Sequence, residues 1–210
     1  MGKFKQIGER FRSSAKELYN VRSLVMIALL LGLRIALGYV TTLRITDNIK
    51  IGYAIFPNTA LGMLFGPVVG GIAGGIADFL GFILRPSGAF FPGYTLDSIV
   101  AGMIYGYSFY KREKITPLRV FCTLLCVTVV VNLCMTTTWI SIQATVKSFS
   151  AFFENPSGAF QDYFTKFMVL LPPRALKNFI MLPINSVGVY FVLQAVRRVA
   201  KYFQPNTNRR

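Results

Sequence analysis

Histidine is absent from the chain, and that absence removes a large share of catalytic chemistry. Without imidazole there is no histidine general base, no Ser-His triad and no His-ligated metal. The phosphate-cradling pattern Gly-x-x-x-x-Gly-Lys-Ser/Thr is missing too, so the chain is not expected to hydrolyse a nucleotide itself. Carboxylates are scarce, 8 Asp and Glu against 23 Lys and Arg. The pair Asp78 and Asp97, with no histidine or further acids beside it, makes a poor metal site, and an intramembrane enzyme is disfavoured. The sequence predicts no metal and no cofactor. There are only 3 cysteines. Cys122, Cys126 and Cys134 share one apolar run without a second ligand type, which predicts small buried hydrophobes. A cleaved secretory leader is not expected either: it would need a hydrophobic segment ending in small residues, whereas the first twenty residues here are charged throughout.

What the chain does have is apolar length. Of its 210 residues 53% are hydrophobic, and the mean hydropathy is +0.51. One soluble core cannot hide that much apolar surface, and a bilayer is the solvent the composition asks for. A crossing takes roughly 20 mostly apolar residues. Residues 24–40, 120–142 and 179–196 approach that length, and 53–65, 67–84 and 96–110 form three shorter pieces. The reading is six spans in an all-α, single-bundle membrane protein.

A net charge of +15 raises the possibility of nucleic acid, but the placement of the charges speaks for topology instead. Lys3, Lys5, Arg10, Arg12, Lys16 and Arg22 precede the first span; Lys111, Arg112, Lys114 and Arg119 follow the fourth; Arg197, Arg198, Lys201, Arg209 and Arg210 follow the sixth. Six spans put all three groups on one side, the cytoplasm by the positive-inside rule, with both termini there. Phe4, Ile7, Phe11, Ala15 and Leu18 recur at helical spacing, which fits a helix on the inner leaflet or a solvated tail.

Polar residues inside the spans are the candidate site. Ala28, Gly32 and Ala36 make a small-residue ridge on the first span, suited to close contact with a helix of this chain or of a partner. Arg34 lies about 200° round from Gly32 and should face the bundle if the ridge faces out. It forms either a structural ion pair with Asp78 or Asp97, or part of a ligand site. Gly70, Gly71, Gly74 and Gly75 predict close helix packing after a tight turn at Gly66-Pro67. The stretch LRPSGAFFPGYTLD joins the third and fourth spans and gathers Arg85, Phe90, Phe91, Tyr94 and Asp97. Trp139 is either an interface anchor or a stacking platform. The connection 147–171, rich in aromatics, reads as a lid. In PPRALKN the prolines suit a helix start, and Arg174, Lys177 and Asn178 share one face. Arg44, Lys50, Arg85, Lys147, Lys166, Arg174 and Lys177 are an outer basic set, a candidate anion site. The whole describes a receptor for an external small molecule.

Residues 53–106 resemble a known family. GMLFGPVVGG, the aspartate of IADFLG and RPSGAFFPGYTL are similar to the substrate-binding S components of energy-coupling factor (ECF) vitamin transporters, most of all the folate-type members. The resemblance implies a six-helix, non-enzymatic domain over 21–203 in the cell membrane, flanked by a basic segment 1–20 and a tail 204–210. It implies capture of folate at the outer face and delivery inward on a transmembrane coupling subunit powered by two ATPases. Ala28, Gly32 and Ala36 would dock on that subunit. Folate has a flat pterin that a carboxylate or amide can read and a dianionic tail that Arg or Lys can clamp. On that basis Trp139, Phe90 and Phe91 are candidates for stacking and Asp78 or Asp97 for the pterin edge. Arg34, Arg85, Arg174 and Lys177 are candidates for the tail or its counterions, with Tyr94 and Asn178 beside them. Riboflavin or biotin explain the basic set less well, and no charge ring or polar stripe suggests a channel.

Overall fold

The computed structural model of the protein describes residues 2–40, 44–46, 49–50, 54–84, 86, 90–112, 114–146 and 156–203. The described chain is almost wholly helical: α1 (Gly2–Glu17), α2 (Val21–Val40), α3 (Ile55–Leu84), α4 (Pro92–Phe109), α5 (Pro117–Val127), a π-helical segment (Thr128–Met135), α6 (Thr136–Val146) and α7 (Pro156–Phe203). One short antiparallel ribbon, β1 (Arg44–Thr46) with β2 (Ile49–Lys50), departs from the all-α expectation. Four stretches are long and apolar enough to cross a membrane, namely Val21–Gly38, Ile55–Leu84, Pro117–Thr145 and Phe160–Val199. Large apolar side chains point outward along them: Leu29 is 69% exposed, Phe191 66% and Val187 58%. Such a surface belongs in lipid, since contiguous apolar patches of that extent are rare on soluble monomers.

The expected turn at Gly66-Pro67 is a break inside α3. Gly66 has φ 88° and ψ −172°, a left-handed backbone open only to a residue without Cβ, and Pro67 restarts the helix where a missing N–H does no harm. The amides orphaned by the break are met by α1. Ser14, fully buried, accepts from Val68 N at 3.1 Å and Val69 N at 3.2 Å and donates to the Phe65 carbonyl at 2.6 Å. The predicted N-terminal helix is therefore present, but it is docked on α3 rather than lying free. Leu18 follows it into a cluster with Ile27, Leu61, Phe65, Val69 and Ala73.

The glycine pairs work as expected. Helices α3 and α4 run backbone to backbone, and a Cβ on Gly70 would stand 2.6 Å from the Gly102 carbonyl oxygen. The second core, Tyr105, Phe109, Val120, Leu124, Val189 and Leu193 among others, joins α4, α5 and α7. Three expectations are corrected. Helix α7 begins at Pro156, so Pro172 and Pro173 lie within it and the described part of 147–171 is a helical arm instead of a loop; prolines are tolerated inside membrane helices where neighbours satisfy the freed carbonyls. The arm is tied to α6 by Lys166, which pairs with Asp162 at 3.4 Å and donates to the Ala144 carbonyl at 3.2 Å. The three cysteines are exposed, not buried, because they occupy the face of their helices turned away from both cores.

Candidate functional site

A cavity of about 380 Å³ opens between α3, α4, the π segment and α7, within the range of small-molecule sites. Its polar lining is led by amides: Asn58 at the start of α3, Asn132 in the π segment, Asn178 and Asn185 on α7. Asp97, Ser98, Tyr105, Thr136 and Lys177 complete it. An amide offers donor and acceptor side by side, so four around one space can read a flat heterocycle whose edge alternates the two. A smaller space of about 50 Å³ continues inward past Tyr105, Asn132, Asn178 and Asn185.

Asp97 is the best-supported polar group here. It is 7% exposed, accepts from Trp139 Nε1 at 2.9 Å on one oxygen and from Thr136 Oγ1 at 2.6 Å on the other. A carboxylate holds about four acceptor sites, so capacity remains toward the cavity. Thr136 reaches Asp97 because the helix before it is wound wide: its own N–H bonds the Val131 carbonyl, five residues back. Wide turns of this kind occur frequently at functional sites. Trp139 packs close to Gly93, where a Cβ would come within 2.7 Å of the indole, and tilted against Phe91 at a ring separation of 5.8 Å.

The sequence candidates separate into groups. Asp97, Lys177 and Asn178 line the cavity. Phe91, Tyr94 and Trp139 form its shoulder: Tyr94 packs on Phe91 at 5.7 Å and its hydroxyl donates to Gln143 at 3.1 Å. Arg174 sits one turn before Asn178, which donates to its carbonyl at 2.9 Å; its Nε is buried with no partner among the described residues, and Asp97 and Tyr94 are its electrostatic neighbours. Arg34 faces inward as expected, donating to the Gly74 carbonyl at 3.2 Å with Asp78 and Tyr105 nearby in charge. Asp78 instead accepts from Thr95 at 2.8 Å. Phe90 is not among the residues lining the cavity; its ring packs edge-on to Phe79 at 5.8 Å and tilted against Phe82 at 5.1 Å. Arg85 lies outside the described residues. Ala28, Gly32 and Ala36 are exposed.

A family model for the substrate-specific component of ECF transporters matches residues 22–193. The chain belongs to this family. As an ECF substrate-specific component it is a membrane protein and part of a transporter, not an enzyme. Among curated relatives, the folate transporter FolT of Clostridium novyi (strain NT) is 35% identical over 163 residues, 75% of this chain and 83% of that protein. The folate transporter FolT of Leuconostoc mesenteroides subsp. mesenteroides is 26% identical over 174 residues, 83% of this chain and 85% of that one. A crystal structure of FolT bound with folic acid superposes with TM-score 0.64 at 29% identity, covering 83% of this chain and 92% of that one.

The ECF component thus carries polar wall residues that sequence reasoning passed over: Asn58, Asn132, Thr136 and Asn185. A signal for part of them was available. Asn178 and Asn185 are seven apart, two helical turns, and an amide inside an apolar span is itself a functional marker.

Proposed function

We propose that this ECF component binds folate in the amide-lined cavity and carries it across the cell membrane. The observation that bears most weight is Asp97, buried and braced by Trp139 and Thr136 beside four asparagines, together with relatives named as folate transporters. The pterin edge pairs with Asp97 and the asparagines, while the anionic glutamate tail meets Lys177, the open Nε of Arg174 and Arg85. Phe91, Tyr94 and Trp139 form the aromatic flank, with Arg34 and Asp78 as a supporting charge network and Phe90 at the outer edge.

In this reading the body 21–203 makes six passes. The break at Gly66 gives α3 two of them and α4 supplies one; the first, 55–65, rises only about 16 Å and is a short pass. Both termini, the basic segment 1–20 and the tail 204–210, are cytoplasmic. Ala28, Gly32 and Ala36 form the contact with the transmembrane coupling subunit, and two ATPases supply the energy.

The deciding experiment is calorimetric titration of the purified protein with folic acid, riboflavin and biotin. Folic acid should bind at about nanomolar affinity, worth roughly 12 kcal/mol, with the others undetectable. Tight riboflavin or biotin binding without folic acid would overturn the ligand.

A further inference from the structure

A second cleft, about 740 Å³, opens between α1, α4 and α5. It lies on a different face of α4 from the folate cavity: Met103, Ile104, Tyr107 and Ser108 line it, whereas Asp97, Ala101 and Tyr105 line the other, and it continues past the end of α4 to Arg112. Its walls are apolar, built by Phe11, Met103, Ile104, Leu118, Cys122 and Cys126. Its rim is cationic. Arg112 and Arg119 line it, and Arg10 stands beside them, its guanidinium donating to the Tyr107 carbonyl at 3.4 Å. No carboxylate is among the lining residues described.

Among the described residues none of the three arginines has a salt-bridge partner. Arg112 Nε is buried with no hydrogen-bond partner among the described residues. Burial first, then the like charges of Arg10 and Arg119, hold the Arg112 guanidinium below its usual value, the opposite of what a neighbouring acid does. An anion at the rim satisfies the open donor and relieves the repulsion. An apolar trench running from that rim along the lipid-facing side of α4 and α5 asks in addition for a hydrocarbon chain. Leu118 at its edge is 71% exposed, so the trench is open to the bilayer.

We propose that this cleft is a binding site for one anionic phospholipid, with its phosphate between Arg112 and Arg119 and an acyl chain along Ile104, Cys122 and Cys126. Basic pockets between membrane helices hold such headgroups elsewhere. Placing the cleft in the cytoplasmic leaflet rests on the orientation proposed above; the chemistry of the site does not.

The test is native mass spectrometry of the full-length protein released from vesicles of equal phosphatidylglycerol and phosphatidylcholine with matched chains. Wild type should retain phosphatidylglycerol over phosphatidylcholine by about tenfold. The double variant R112Q/R119Q should bring that ratio to about one, and Cys126→Phe, which fills the trench without touching charge, should lower retention of phosphatidylglycerol. Equal retention of the two lipids by wild type, an unchanged ratio in R112Q/R119Q, or full retention in Cys126→Phe each overturns the proposal. So does displacement of the lipid by millimolar inorganic phosphate, which would assign the rim to a free anion. Loss of assembly with the coupling subunits in R112Q/R119Q, with lipid retention intact, would assign it to a protein partner. Folic acid titration of each variant reports folding separately, and a wild type that binds no folic acid but keeps its lipid preference refutes only the folate reading.

Discussion

At the scale of single residues, the site turns on Asp97, which sequence reasoning paired with Asp78 as an alternative. The structure separates them: Asp78 is engaged by Thr95, whereas Asp97 lines the cavity and is held by Trp139 and Thr136. Asp97→Ala removes the acceptor for two buried donors and for the ligand. Folic acid affinity should fall by roughly 100-fold or more, in keeping with about 3 kcal/mol for a charged hydrogen-bonded group, read by calorimetry. Trp139 was open between anchor and stacking platform, and its indole N–H adds a third role, orienting the carboxylate. Trp139→Phe keeps an aromatic ring and loses that hydrogen bond. An affinity roughly 10-fold weaker is expected, since hydrogen bonds to charged groups contribute about 1.5–3 kcal/mol. No change in affinity for Trp139→Phe combined with a loss for Trp139→Ala would leave stacking as its whole contribution.

At the scale of elements, the break in α3 and the docking of α1 are one device. Gly66 bends the chain, and Ser14 supplies the hydrogen bonds that the bend costs. Ser14→Ala leaves buried backbone groups unpaired, a loss of about 1–3 kcal/mol, and should lower the unfolding temperature in detergent. Gly66→Ala strains a positive-φ backbone and drives a methyl to within 2.8 Å of Ser14, so its unfolding temperature should fall at least as far. The glycine run and the Gly66-Pro67 break were legible in sequence because each is a local requirement for absent side chains or a missing N–H. The docking of α1 was not, since a serine in a basic amphipathic segment carries no mark of the amides it will meet some fifty residues on.

At the scale of the whole molecule, the proposed folate site and the proposed docking ridge are separate surfaces. Ala28, Gly32 and Ala36 are exposed on α2 with nothing within 4 Å of a Cβ at Gly32, while Arg34 on the opposite side reaches Gly74. Replacing Gly32 by Leu should therefore leave folic acid affinity of the isolated protein unchanged. It should abolish uptake, or assembly with the coupling subunit, when the complete transporter is reconstituted. Normal uptake by Gly32→Leu would remove this face from the docking surface.

The amino-acid sequence by itself determined the solvent, the approximate helical runs, the grouping of basic residues and the family, because each is additive along the chain or carried by contiguous motifs. Helical angle also set Arg34 opposite the small-residue ridge, but not which of the two faces the bundle. The tertiary structure decided which polar groups meet. Asn58, Asn132 and Asn185 come from three separate elements, and their convergence depends on the π-helical winding of 128–135 and on the glycine-tight approach of α3 to α4. It also decided that Pro172 and Pro173 lie within a helix and that Arg112 stands beside Arg10 and Arg119 with no carboxylate among the described residues lining their cleft. Distances between helices depend on how their side chains interlock, and no periodicity within one segment encodes that.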